Sequence, residues 1–165
     1  MKIACTDIET NNLYIDVSKF HCAWIIDPSQ PKERQGYRPQ DLDKYMKDLM
    51  SFDLTVGHNI IDYDLPTLAK LSGLEFHMNT FDTLVLSRML QPDRPGGHSL
   101  DSWGRELGIY KGDYGKTENA WDVFTEDMFT YCEQDVNVTV ALYEHLCNLA
   151  GFDWLNPPHS RIFYK

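Results

Sequence analysis

Asp7 and Glu9 stand two residues apart in "IACTDIETNN" (residues 3–12), where Ile3, Ala4, Cys5, Thr6 and Ile8 otherwise suit a buried β-strand. Strand side chains alternate between faces, so Ile3, Cys5, Asp7 and Glu9 share one of them. At ~3.3 Å per residue the two acidic Cα atoms lie about 6–7 Å apart, and both carboxylates can converge on one cation. Alone, D-x-E also reads as a strand end fraying into a solvated turn, where acids usually sit.

Two further acids are out of place. Met128, Tyr131, Val138, Leu142 and Leu149 follow helical three–four spacing, and Asp135 falls on that apolar stripe, four residues after Tyr131. A carboxylate there costs several kcal/mol unless backbone donors, a cationic side chain or a metal satisfies it. A satisfied structural Asp is the other reading. In "VGHNIIDYDLPTL" (56–68), Asp62 and Asp64 precede a helix. Asp64 also reads as the cap of that helix. Together these acids supply hard oxygen donors with few His or Cys, a set suited to Mg²⁺ or Mn²⁺. Two such ions about 3.5–4 Å apart clamp the attacking and leaving oxygens of phosphoryl transfer.

The elements that must position these groups alternate. Residues 2–7 and "KFHCAWIID" (19–27) read as strands joined by a short turn, an antiparallel start. Helices are expected over 41–50, 65–74 and 99–108, with a long one from about Glu126 to Leu149. "LTVGHN" (54–59) reads as a short strand, and "FDTLVLSRML" (81–90) starts extended and turns helical, with Asp82 as cap or strand end. Residues 109–124 read as an ordered loop. This pattern is an α/β layered domain with a mixed sheet, and ligands of such sheets sit at strand ends.

The 165 residues suffice for one domain over 1–165, and 42% hydrophobic content argues against disorder. No apolar run approaches a membrane span, and the start lacks the pattern of a secretory signal. Four scattered cysteines (Cys5, Cys22, Cys132, Cys147) point to a reduced, cytoplasmic setting and not to a zinc site. A net charge of −10 excludes a broad basic surface that coats nucleic acid, but suits a site that grips one phosphate through metal ions. Trp24, Trp103 and Trp121 read as core. Trp154, Phe152, Phe163 and Tyr164 read as a cover for the domain or a partner contact. His98, after Gly96 and Gly97, reads as a substrate contact at the mouth of the site or as a structural loop residue.

D-x-E at Asp7/Glu9, N-x3-Y-D at Asn59/Tyr63/Asp64 and Y-x3-D at Tyr131/Asp135 resemble, in order and spacing, the three motifs of the DEDD 3′→5′ exonucleases, tyrosine subclass. "KFHCAWIID", "FDTLVLSRML", "HSLDSWGRELG" and "YCEQDVNVTVAL" extend the resemblance to the proofreading domain of family A DNA polymerases of short-tailed phages. The resemblance implies a ribonuclease H-like (DnaQ-like) fold, a mixed sheet flanked by helices. It implies that Asp7 bridges two divalent cations, Mg²⁺ or Mn²⁺. Glu9 and Asp135 complete the site of the water-activating ion, and Asp64 holds the second ion largely through water. Tyr131 would orient the attacking water. A phenol with pKa near 10 is poorly matched to act as a strong base. Leu13 stands where the family places an apolar wedge, and Thr10 and Asn59 match positions lining the terminal nucleotide.

Two departures accompany the match. The chain stops at Lys165 where the phage polymerases continue, so a separate exonuclease and an excised domain are both expected possibilities. The 109–124 region looks shorter than theirs, which bears on substrate gripping. The expected activity is release of nucleoside 5′-monophosphates from single-stranded DNA 3′ ends, with a DNA polymerase subunit as a further partner. For a phage-encoded chain the setting is the host cytoplasm. The competing expectations are the same chemistry on RNA or short oligonucleotides, and a catalytically silent module that binds nucleic-acid ends or protein.

Overall fold

The apolar and β-branched residues of the opening stretch make a strand buried on both faces, and the other layers are arranged around it. In a computed structural model that describes residues 1–110 and 112–165, β1 runs from Ile3 to Thr10, past the expected end at residue 7. Next come β2 (Phe20–Ile26), β3 (Arg34–Tyr37), α1 (Leu42–Leu49) and β4 (Leu54–Gly57). A π-helical turn at Ile60–Asp64 leads directly into α2 (Leu65–Ser72). β5 (Phe76–Asp82), α3 (Thr83–Leu90), α4 (Leu100–Glu106), α5 (Glu126–Ala150) and β6 (Ser160–Tyr164) complete the order. Lys111, within the expected 109–124 loop, lies outside the described residues.

The six strands form one sheet in the order β3-β2-β1-β4-β5-β6. β1 pairs antiparallel with β2 and parallel with β4, β4 pairs parallel with β5, and β6 closes the edge antiparallel to β5. Ala4 and Ile8 of β1 pack with Tyr45, Met46 and Leu49 of α1 and Leu65 and Leu68 of α2. On the other face Ile3 and Cys5 pack with Leu86, Trp103, Val136, Leu142 and Leu146 of α3, α4 and α5. The result is a helix–sheet–helix sandwich with β1 at its centre. Gly36 of β3 lies opposite Trp24, and a Cβ there would sit 2.4 Å from the Phe129 ring. A side chain at this position would part the Trp24–Phe129 ring pair, whose centroids are 4.6 Å apart.

Three expectations need correction. The β1–β2 connection is not a short turn: it spans residues 11–19 and is pinned by Asn11, whose Oδ1 accepts from the Ser18 and Lys19 amides at 3.0 and 2.9 Å. Leu149 is 51% exposed, while Cys132, Val136, Thr139, Tyr143 and Leu146 fill the buried face of α5. The expected stripe runs along one edge of the buried face, whose centre is the line Cys132, Val136, Thr139, Tyr143 and Leu146, so Leu149 faces out in the last turn while Cys147 stays buried. Finally, Phe163 and Tyr164 belong to the sheet as part of β6, where Tyr164 is 5% exposed and pairs with Phe76, while Phe152 and Trp154 cover the core as expected. Among the described residues no helix is long and apolar enough to cross a membrane.

Candidate active site

The site lies where β1 ends. Alternation sends Asp7 and Glu9 to the α5 face, and oxygens of both lie with the Cys132 Sγ in a group whose members are all within 4.8 Å of one another. Cys132 is fully buried, and its thiol donates to the Asp7 carbonyl at 3.5 Å, which ties α5 to the strand at this level. Asp135 follows one turn later on the same helix and is 5% exposed. Its carbonyl accepts from the Thr139 hydroxyl at 2.9 Å.

Asp64 arrives from the opposite helical layer. It does not cap α2, because the π-helical turn runs continuously into that helix and leaves no free amide for its side chain. Its Oδ1 instead accepts from the Ile8 amide at 3.3 Å, between the two acids of β1. Burial, and then the charge of Asp7, push the Asp64 carboxyl well above the usual carboxylate range. Asp62, the neighbouring acid, is exposed.

The π-helical turn is held by Asp82. Its carboxylate accepts from the amides of Asn59 and Ile61 at 2.9 and 3.1 Å and caps α3 through the Leu84 amide at 2.9 Å. The expected role of Asp82 as a cap is therefore observed, and the clamp on the Asn59–Asp64 turn is an addition. Asn59 sits at φ 64°, the left-handed region that Asn tolerates better than most residues.

Beside Glu9 opens a cavity of about 310 Å³ lined by Ile8 to Leu13, Tyr63 and Trp121. Thr10 lies on its wall, with its hydroxyl bonded to Tyr63 and to the Asn12 carbonyl. Leu13 is 76% exposed at its rim. Of the remaining expected substrate contacts, neither Asn59 nor His98 lines this cavity. The His98 ring is engaged with the Ser87 hydroxyl at 2.7 Å, and its carbonyl accepts from His58. That engagement is the structural alternative for this histidine.

Tyr131 is half-buried and belongs to an aromatic group, 5.7 Å from the Tyr114 ring and 6.0 Å from the Trp121 ring between centroids. The expectation for Trp121 is corrected: it borders the cavity instead of lying in the core. An aromatic side chain has the same sequence signature in either place, so only its position next to the long helix offered a hint.

The chemistry of the donor set can be tested against a divalent cation. Asp7 and Asp64 approach closely enough for one charge to raise the other's pKa, and Glu9 joins Asp7 on the same edge. Gathered carboxylates repel one another, and a hard divalent ion relieves that repulsion while using only oxygen donors. The residues present fit such an ion.

A family model described as 3′-5′ exonuclease matches residues 3–150. DNA-directed DNA polymerases of Enterobacteria phage T3 and Escherichia phage T7 are each 37% identical over 183 residues, covering 86% of this chain and 26% of theirs. The chain thus spans about a quarter of the length of the curated relatives it matches. Among solved structures, NrnC of Brucella melitensis superposes with a TM-score of 0.66 at 20% identity, over 92% of this chain and 74% of that one.

Proposed function

The chain belongs to the 3′-5′ exonuclease domain family, and from that membership we propose that it removes nucleoside 5′-monophosphates from single-stranded DNA 3′ ends. Its mixed six-stranded sheet with flanking helices is the ribonuclease H-like arrangement. The observation that carries the reading is the end of β1. Asp7 and Glu9 share an edge there, Asp64 is forced into their field, and a nucleotide-sized cavity opens alongside.

In this reading Asp7, Glu9, Asp64 and Asp135 would hold two divalent cations, Mg²⁺ or Mn²⁺, with Asp7 shared. Such ions supply Lewis-acid stabilisation of the charge on the scissile phosphate and its attacking and leaving oxygens. The chain's own residues do the positioning. Thr10 and Leu13 seat the last nucleotide beside Glu9. Tyr131 orients a water toward the phosphorus on the side away from the 3′ oxygen. As the water oxygen bonds to phosphorus, the P–O3′ bond breaks. The water's proton is lost to solvent, the 3′ oxygen regains one, and the nucleotide leaves as its 5′-monophosphate. Asn59 acts farther out, through the turn that carries Asp64. Residues 1–165 carry this activity, either as a stand-alone exonuclease or as the proofreading part of a polymerase like its relatives, with the host cytoplasm as the setting for a phage-encoded chain.

The test is release of label from a 3′-labelled single strand in Mg²⁺ or Mn²⁺, with matched DNA and RNA in parallel. Activity no greater than that of Asp7→Ala would sink the reading. A faster RNA reaction would move the substrate class to RNA.

A further inference from the structure

We propose that Cys132 gives the acidic end of β1 a second, competing use: it binds thiophilic divalent cations such as Zn²⁺ and Cd²⁺ through sulfur, and an ion held there blocks the exonuclease. The blocking rests on the exonuclease reading above, while the binding stands without it.

The ligands are already gathered. One oxygen each from Asp7 and Glu9 and the Cys132 Sγ all lie within 4.8 Å of one another. Cys132 precedes Asp135 by three positions on α5, so the sulfur and the third acid share a helix face one turn apart. Cys22 stands behind it. On β2 it pairs with Glu9, beside the bulge at His21 where the register passes to Thr10–Phe20, and its thiol is hydrogen-bonded to that of Cys132. Both thiols are fully buried, but Asp7 is only partly so, and an ion enters from the carboxylate side. The bond of the Cys132 thiol to the Asp7 carbonyl, at 3.5 Å, is a weak one that yields to a metal–sulfur bond. Asp7 and Cys132 are 125 positions apart, which is why no short cysteine spacing announces the site.

The preference follows from the donor. Mg²⁺ and Mn²⁺ are hard and stay on carboxylate and water oxygens, so the sulfur adds nothing to their binding. Zn²⁺ takes a small shell of sulfur, nitrogen and oxygen ligands, most of which one thiolate and two carboxylates supply. On coordination the Sγ–H proton goes to solvent and a sulfur lone pair joins the shell of the ion, with no oxidation. Such an ion draws Asp7 and Glu9 away from the hard ions that would polarise the phosphate, and so competes with them.

The experiment uses the full chain, kept reduced, with Cd²⁺ as the probe. Binding is followed by the ultraviolet charge-transfer band of a thiolate–cadmium bond, which carboxylates do not give. The native chain should show the band. Cys132→Ala and Cys132→Ser should lose it and bind Cd²⁺ at least about tenfold more weakly, the loss that even an outer-shell partner causes. Asp7→Ala should shift the midpoint of the band by a similar factor, because carboxylate and sulfur hold the same ion. Thermal melts show that each variant is folded, and the Mg²⁺ concentration that stabilises the Cys132 variants should stay within about twofold of the native one. In Mg²⁺-supported cleavage of a 3′-labelled single strand, the Cd²⁺ concentration that halves each protein's own rate should rise at least about tenfold in Cys132→Ser. A band that persists in folded Cys132→Ala, or a midpoint unmoved in Asp7→Ala, would overturn the proposal. A native chain that cleaves no 3′ end defeats the exonuclease reading instead, and the Cd²⁺ titration then still decides the binding.

Discussion

Asp64 carries the electrostatic cost of gathering acids at one strand end. Burial and the charge of Asp7 penalise its ionised form, and they do so only in the folded state. Its contribution to stability is therefore complete below the ordinary carboxylate pKa of about 4 and is lost as pH rises through the raised value. In chelator, the melting temperature should fall as pH climbs above the ordinary carboxylate range. Asp64→Asn should flatten that fall and raise the melting temperature near neutral pH by about 2–4 °C per kcal/mol of relieved repulsion. Added Mg²⁺ or Mn²⁺ should stabilise the native chain and leave the variant nearly unmoved. Thermal melts across pH, with and without cation, decide this. The acids were legible in the sequence because a carboxylate on an apolar face contradicts its surroundings, as Asp135 does on α5. Trp121 was not, because an indole satisfies a core and a cavity wall equally well.

At the scale of elements, side chains outside the site fix its geometry. Asp82 joins the end of β5, the start of α3 and the turn before α2 through three amides. Asp82→Ala removes a cap and strands two more donors, which should cost about 2–3 kcal/mol and lower the melting temperature by about 5–10 °C. Because the released turn ends in Asp64, exonuclease turnover at saturating DNA should fall well beyond what lost folded protein explains. Comparing kcat per folded molecule, from the native-state fraction at the assay temperature, checks it. Gly36→Ala is expected to overpack the Trp24–Phe129 pair and cost about 1–3 kcal/mol, measured by urea unfolding. The long helix and the strands β1, β2 and β4 were legible from their residue patterns, whereas of β5 only the extended residues 81–82 were. β3, with the polar "RQGY", and β6, with "SRIFY", were not, since edge strands of four and five residues carry too little alternation to stand out. The bulge at His21 left no trace in sequence either, because it depends on which residues of β1 oppose it.

For the whole molecule, the net charge of −10 sets the terms on which a polyanion approaches. Affinity for a single strand should drop at least about tenfold when chelator replaces Ca²⁺, because only bound cations offset the acids against phosphate. Tight binding in chelator, read by fluorescence anisotropy of a labelled strand, would contradict this. The family match ends at residue 150, yet residues 160–164 supply the sixth strand. Removing residues 151–165 should bare the β5 edge and the Phe76 ring that Tyr164 covers at 5.5 Å. The shortened chain should melt lower and self-associate, seen as a concentration-dependent sedimentation profile.

That sixth strand also sets a schedule. Thr80 pairs with Ser160, and Phe76 with Tyr164, so β5 is made long before the strand that covers it. During synthesis β1, β2, β4 and β5 can assemble while β5 still shows an open edge, and α5 must fold past it before closure. The growing chain is most vulnerable to pairing with a neighbour in that interval. A delay between α5 and β6, on the ribosome or in a refolding reaction, would prolong it.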